Sequence, residues 1–213
     1  MKCPLWAKHS AIPKEERTEN DEQGRAMKYF LSGFVCALFV AAFAAVTWIY
    51  SGWQNVAALE PHGQLVSWVF NITMQRSVRV HAAGIAAPAD LTARASSGFG
   101  DFDEMCVECH SAPGMERGEV GKGLNPRPPR LVNAARRWSP SELFWIVKSG
   151  IRMTGMPAFG PTHDDDTLWA IVAFVQQLSS LSPEQYKSMR LTNDAAPKAH
   201  DHSGEENHSD SHR

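Results

Sequence analysis

One long apolar stretch near the N-terminus constrains the fold of this chain more than any other feature. Residues 29–50, which begin and end with tyrosine, include no charged side chain. About 20 consecutive apolar residues suffice for a helix to cross a bilayer. A cleaved signal peptide is the alternative, but its apolar core is usually about 7 to 15 residues long, and no small-residue cleavage site follows here. We therefore predict a single transmembrane helix over residues 29–50.

Basic residues closely flank this stretch on only one side, before its start. Such residues favour the cytoplasm, so we predict a cytoplasmic segment over residues 1–28 and an external location for everything after Trp53. Trp48 and Trp53 lie where aromatic rings favour the membrane interface. The predicted location is the inner membrane of a bacterium, with the larger part of the chain in the periplasm. The basic residues before the stretch are Lys2, Lys8, Lys14, Arg17, Arg25 and Lys28, and the first one after it is Arg76.

The sequence Cys106-Val107-Glu108-Cys109-His110 is the signature of covalent haem attachment. Two thiols on one helical turn can each add to a haem vinyl group, while the adjacent imidazole takes the proximal position on the iron. We therefore predict one haem c, bound covalently through Cys106 and Cys109, with His110 as the proximal ligand. A chance match, or a redox dithiol beside an unrelated histidine, is the alternative. The other cysteines, Cys3 and Cys36, are separated by half a membrane and are not expected to form a disulfide.

The residues around this motif resemble the class I (Met/His-ligated) c-type cytochromes. The likeness is greatest to small membrane-tethered bacterial members and to the haem domains of cbb3-type oxidase subunits, and it covers roughly residues 91–181. Gly98, Phe102 and Cys106 recur every four residues, so they lie on one face of a helix. In the family, this glycine and this aromatic residue pack against a C-terminal helix. The counterpart here is residues 166–178, with Trp169, Val172 and Phe174 supplying the apolar surface.

The resemblance also implies a methionine as the sixth iron ligand. In the family a Met-Pro pair lies just upstream of the last helix, as Met156-Pro157 does here. A thioether favours ferrous iron and raises the reduction potential, which suits electron transfer. Met153 is a nearby alternative that lacks the proline. His163 would be the ligand only in a bis-histidine site.

Two segments between these motifs are expected to complete the haem site. Residues 121–131 are too rich in proline and glycine for regular structure. In relatives, a proline carbonyl of this region accepts a hydrogen bond from the proximal histidine, and the sequence leaves Pro126, Pro128 and Pro129 as candidates. A helix is predicted over residues 139–149, where Ser139-Pro140-Ser141-Glu142 forms a helix start. Candidate contacts to the haem propionates are Trp138, Trp145 and Arg152. Each of these residues can equally be a packing or a surface residue.

The predicted periplasmic linker, residues 51–90, contains an amphipathic helical pattern. Within residues 54–89, apolar residues recur at helical spacing from Leu65 to Val80, before Gly84 and Pro88 interrupt the pattern. This helix can lie on the membrane or a partner, or it can cover the core of its own domain. His81 is expected to be a surface or capping histidine. The apolar residues of the pattern are Leu65, Trp68, Val69, Ile72, Val78 and Val80.

Charge gives limited information about partners. The formal net charge is -2, and nothing in its pattern suggests nucleic acid. A basic bias in the middle of the chain can orient docking to an acidic redox protein, or it can simply serve solubility. The residues of this bias are Arg117, Lys122, Arg127, Arg130, Arg136, Arg137, Lys148 and Arg152.

The C-terminal tail, residues 191–213, is polar and rich in histidine. It cannot bury enough apolar surface to fold, so we predict disorder. Closely spaced imidazoles can chelate Cu(II), Ni(II) or Zn(II). The alternatives left open are metal capture and an inert tail. The candidate ligands are His200, His202, His208 and His212.

These observations predict an all-α protein: one N-terminal transmembrane helix, a linker, a cytochrome c domain over residues 91–190 and a disordered tail. The expected function is single-electron transfer in a respiratory chain, with no chemistry on a substrate. Expected partners are the membrane and redox proteins such as a quinol-oxidising complex, a dehydrogenase or a terminal oxidase, with a larger oxidoreductase complex as one setting. Alternatives are a haem module that binds copper through its tail and a small-ligand haem reductase or peroxidase.

Overall fold

The computed structural model describes residues 14–195, and their side chains from Gly24 onward except that of Ala135. Within this range the regular structure is entirely helical, as predicted. Short 3₁₀ turns at residues 91–96, 131–133 and 178–180 connect some of the α-helices. The α-helices are α1 (Lys14–Tyr50), α2 (Gln64–Ala82), α3 (Phe99–Met105), α4 (Val107–His110), α5 (Glu119–Gly123), α6 (Ala134–Arg137), α7 (Pro140–Ser149), α8 (Asp165–Gln177) and α9 (Pro183–Ala195).

The chain divides into two compact units, with the boundary between residues 56 and 57. The described part of the first unit is α1 and the few residues after it. Its portion Gly24–Tyr50 is long and apolar enough to cross a membrane and is exposed throughout. This helix contains the predicted span of residues 29–50 and begins well before it. It is consistent with a membrane anchor.

The second unit is built around a close crossing of two helices, α3 and α8. A Cβ atom on Gly98, which caps α3, would collide with the backbone carbonyl of Ala170 in α8. Next to the crossing, the rings of Phe102 and Phe174 lie 4.9 Å apart. The predicted packing of this glycine and this aromatic pair is confirmed, and it brings the end of α3, where Cys106 lies, against the core.

Helices α7 and α8 both begin at side-chain caps, and the start of α7 at Ser139 agrees with the sequence-based prediction. The Ser139 hydroxyl accepts a hydrogen bond from the Glu142 amide, and the Glu142 carboxylate accepts one from the Ser139 amide. The Asp164 carboxylate accepts a 2.8 Å bond from the Thr167 amide at the start of α8. Each cap pairs amide groups that lack a partner in the first turn.

The linker helix, Gln64–Ala82, covers the amphipathic stretch of residues 65–80 that the sequence indicates. Two other segments differ from the sequence-based expectation. One helical turn, α5, overlaps the start of the region that was expected to be irregular, because Gly118 and Gly121 permit close packing on α4. The boundary predicted at residue 190 falls inside α9, which continues to Ala195. The tail histidines lie outside the described residues.

Candidate haem site

The cysteine and histidine side chains of the motif lie on one helical turn that follows α3. Cys106 joins α3 to α4, and the His110 amide donates a 2.9 Å hydrogen bond to the Cys106 carbonyl. Cys106 and His110 are buried, whereas Cys109 is half-buried. Neither Cys106 nor Cys109 forms a disulfide. The turn ends at Ser111, whose positive φ of 62° redirects the chain.

A backbone carbonyl fixes the ring of His110. The His110 Nδ1 atom and the Pro129 oxygen lie 2.8 Å apart. Since a carbonyl oxygen can only accept, Nδ1 carries the proton and Nε2 retains its lone pair. Burial lowers the pKa of His110, against the opposing effect of this hydrogen bond, and the Arg117 charge lowers it further. A neutral imidazole with a free Nε2 atom is the form that binds a metal.

The structure therefore distinguishes among the three candidate prolines. Pro129 accepts from His110, while the neighbouring Pro128 carbonyl accepts a 2.7 Å hydrogen bond from Nη2 of Arg117. Arg117 is half-buried, and its Nε atom has no partner among the described residues. Sequence reasoning placed Arg117 with the surface basic residues and missed this contact. No local motif marks it, because the contact depends on where the proline segment folds.

Helix α5 approaches the backbone of the motif closely. The Gly118 amide donates a 2.9 Å hydrogen bond to the Glu108 carbonyl, and the Val120 amide donates to the Glu108 carboxylate at 3.3 Å. A Cβ atom on Gly121 would lie 2.6 Å from the Glu108 oxygen and 2.8 Å from Cα of Cys109. Glycine is thus required beside the attachment motif. The glycines that follow the motif were the available sequence signal for this contact.

The environment of Cys106 does not suit a redox dithiol. Burial raises the pKa of Cys106 to about 12, and the nearby Asp101 and Cys109 add to this effect. The attacking cysteine of a dithiol oxidoreductase instead has a lowered pKa and partial exposure. Within the described part of the chain, no three side chains of His, Cys, Asp or Glu cluster in a way that could hold a metal ion. The two thiols on one turn and the oriented imidazole fit a haem that is attached there.

The loop after α7 places Met156 differently from Met153. Met156 is half-buried and packs against the hydrophobic core, whereas Met153 is 80% exposed. The Met156 amide donates to Oγ1 of Thr154 at 3.1 Å, and the Met156 carbonyl accepts from the Ile151 amide at 3.2 Å. These bonds hold the Met156 backbone in a tight turn.

Glycines at both ends of this turn permit close approaches. Gly150 has a φ of 66°, and a Cβ atom there would lie 2.6 Å from the carbonyl carbon of Pro157. A Cβ atom on Gly155 would lie 2.5 Å from the side chain of Leu124, in the segment that also contains Pro129. The loop of Met156 therefore borders the segment that holds His110.

The other candidates are less closely tied to this turn. Trp138 is half-buried beside the guanidinium of Arg137, and Trp145 stacks on the exposed ring of His81. Arg152 is exposed. His163 lies edge-on to the ring of Phe159, with its Nδ1 atom 2.9 Å from the Thr162 hydroxyl.

Comparison with known proteins identifies the domain. Residues 93–175 match the model of the family described as cytochrome C oxidase, cbb3-type, subunit III. The matched range includes the cysteine and histidine motif, the Met156 loop and most of α8, and it ends before α9. No curated protein matches the chain significantly. The family implies covalently bound haem c and haem-based electron transfer. Residues 93–175 of this chain form a c-type cytochrome domain of the cbb3-type oxidase subunit family.

Proposed function

We propose that this chain is a membrane-anchored cytochrome that carries one haem c and transfers single electrons between respiratory partners. The thiols of Cys106 and Cys109 would form thioether bonds to the haem, and His110 and Met156 would bind its iron. The observation that carries this proposal is the 2.8 Å contact between His110 Nδ1 and the Pro129 carbonyl. It leaves Nε2 available next to two cysteines that form no disulfide.

The side chains of the domain favour a carrier over an enzyme. Haem iron, when bound, supplies a one-electron couple whose potential depends on its axial ligands and surroundings. The Pro129 carbonyl orients His110, and the turn from Ile151 to Met156 holds the Met156 backbone. If His110 and Met156 both bind the iron, no coordination position would remain for a substrate. A peroxidase or small-ligand reductase requires an open position.

We further propose that α1 anchors the chain in a bacterial inner membrane, with its N-terminus in the cytoplasm and the domain in the periplasm. The basic residues before the apolar span and the absence of others until Arg76 support this orientation. The partners would be a quinol-oxidising complex, a dehydrogenase or a terminal oxidase. The chain would serve them as a separate carrier or as a subunit.

The assignment of Met156 can be tested with a matched pair of variants. Met156→Ala should lower the reduction potential by on the order of 0.1–0.3 V, because axial ligands span a range of about 0.8 V. It should also abolish the near-infrared band that arises from sulfur-to-iron charge transfer in the ferric protein. Met153→Ala should leave both unchanged, since Met153 is 80% exposed. An unchanged band and potential in Met156→Ala would show that another residue is the distal ligand.

The number of haems can be measured directly. The holoprotein should contain one haem per chain when haem is assayed as its pyridine complex against protein concentration. Cys109→Ala should leave haem attached through one thioether or lost during maturation, and His110→Ala should give no stable holoprotein. A colourless wild-type protein from a host that matures c-type cytochromes would refute the proposal.

A further inference from the structure

One face of α2 is committed to packing on the cytochrome domain. Val78 and Ala82 are buried, at 1% and 4% exposure. On the same side of the helix, Asn71 accepts a 3.3 Å hydrogen bond from Nη2 of Arg137. Toward the end of α2, Arg79 lies 3.8 Å from the carboxylate of Glu142 at the start of α7. These contacts fix the rotation of α2 about its axis.

The opposite face of α2 is apolar and uncovered. Leu65, Trp68, Val69 and Ile72 follow the i, i+3, i+4, i+7 spacing of a single helical stripe. They are 72%, 62%, 43% and 43% exposed. Because the other face of α2 is packed on its own domain, this stripe points away from the domain. A contiguous apolar surface of this kind marks an interaction site.

Charge and chain connectivity indicate what covers this stripe. Residues 64–82 include no carboxylate, and Arg76 continues the stripe at helical spacing from Ile72. Anionic lipid headgroups attract such a residue, and a tryptophan on the apolar face suits the headgroup boundary. Only residues 51–63 separate α2 from the end of the apolar helix. This connection spans at most about 45 Å, so the stripe cannot move far from the bilayer surface.

We infer that the Leu65–Ile72 stripe of α2 binds the surface of the same bilayer that α1 spans. The apolar side chains enter the boundary between headgroups and acyl chains, and Arg76 contacts anionic headgroups. Since α2 also packs on α7, the contact would hold the cytochrome domain in a defined orientation at the membrane surface. The inference rests on the anchor proposed above.

The test uses the full-length holoprotein in nanodiscs that contain one copy each. The lipids are phosphatidylethanolamine and phosphatidylglycerol with a small fraction of a phospholipid that carries a photoreactive diazirine in its acyl chain. After illumination, mass spectrometry locates the labelled peptides. We expect labels in residues 64–72 as well as in residues 29–50. Replacing Trp68 and Ile72 by Gln should lower labelling of α2 by at least about tenfold, because the loss of even one large apolar side chain changes a partition by about that factor.

The test has a matched control, and it distinguishes a failure of this inference from a failure of the proposed anchor. Leu191→Gln removes another exposed apolar side chain, 63% exposed on α9, and should not change the labelling of α2. Labels in residues 29–50 without labels in residues 64–72 would overturn this inference and keep the anchor. Labels in α2 without labels in residues 29–50 would support surface binding and refute the anchor. Labels in residues 64–72 that disappear when each disc holds several copies would indicate a second copy as the occupant and overturn the inference.

Discussion

A single hydrogen bond from Arg117 braces the segment that orients His110. Nη2 of Arg117 donates to the Pro128 carbonyl at 2.7 Å, and the next carbonyl along the chain accepts from His110. The guanidinium charge also favours the neutral form of the imidazole. Arg117 is thus a positioning residue for the proposed proximal ligand.

We expect Arg117→Gln to reduce the free energy of unfolding by about 1–2 kcal/mol, because a charged donor is lost from a partly buried hydrogen bond. Loss of a nearby positive charge should also lower the reduction potential of the holoprotein. Urea denaturation and a redox titration measure the two effects. Arg136→Gln, at an exposed position, is the control and should change neither quantity. A loss of stability without any change in potential would reduce Arg117 to a purely structural residue.

The crossing of α3 and α8 makes a sharp prediction at the level of elements. Gly98→Ala places a Cβ atom against the Ala170 backbone, so the helices must separate. We expect a loss of about 3 kcal/mol or more, the upper range for overpacking. Gly100→Ala is the matched control, since its Cβ atom would meet only the Asn193 side chain at 3.5 Å. It should be neutral or should stabilise α3 by up to about 1 kcal/mol in urea denaturation.

Helix α9 is tied to α3 by a hydrogen-bonded group of three residues. The Tyr186 hydroxyl donates to Asp103 Oδ1 at 2.6 Å, and Nε of Arg190 donates to Asp103 Oδ2 at 3.0 Å. Tyr186 also packs against Phe99, with ring centroids 5.6 Å apart. This group joins residues outside the matched family range to the helix that leads into the haem motif.

The tie between α9 and α3 predicts a dependence of stability on pH. Burial, reinforced by the bond to Asp103, raises the pKa of Tyr186 well above its ordinary value of 10.0. Above pH 10 the unfolded chain releases this proton and the folded protein keeps it. The free energy of unfolding should therefore be unaffected by this group below pH 10 and fall above it, by up to about 1.4 kcal/mol per pH unit.

Comparison with Tyr186→Phe isolates this contribution from other groups. The variant should be less stable by about 1–2 kcal/mol at neutral pH, because Asp103 loses a donor. Its decline in stability above pH 10 should be shallower than that of the wild type when both are measured by urea denaturation. Parallel declines would show that Tyr186 does not keep its proton in the folded state.

The sequence predicts those elements whose signals are local. Helices α7 and α8 combine a capping residue with an apolar stripe, so their existence and approximate bounds follow from short-range patterns. Helix α9 has a polar composition with few apolar residues. It is held by Asp103, which lies 83 positions from Tyr186 in the chain. Such a long-range contact leaves no periodic pattern, and α9 was therefore missed.

At the scale of the whole molecule, the proposed orientation in the membrane predicts the result of proteolysis. In intact spheroplasts, protease added outside should cut the chain after the anchor and leave an N-terminal tag protected. Permeabilised cells, in which the tag should be digested, are the control. Digestion of the tag in intact spheroplasts would reverse the orientation, and protection of both ends would contradict an exported domain.

Most of the proposed site was accessible to sequence reasoning, and its supporting residues were not. The haem motif and the Met156-Pro157 pair are contiguous in the chain, so a resemblance can locate them. The choice of Pro129 among three prolines depends on how the segment folds over His110. The difference in burial between Met153 and Met156 depends on packing against the core, which spacing alone does not reveal.

The acceptor for His110 is a main-chain oxygen, and no codon change can delete a main-chain oxygen. Evolution can therefore alter this hydrogen bond, and with it the tilt of the imidazole, only by rerouting the loop around Pro129. Natural variants that change the midpoint reduction potential through this bond should carry substitutions at the residues that shape the loop. Protein engineering of the potential through this bond would have to vary the same few positions.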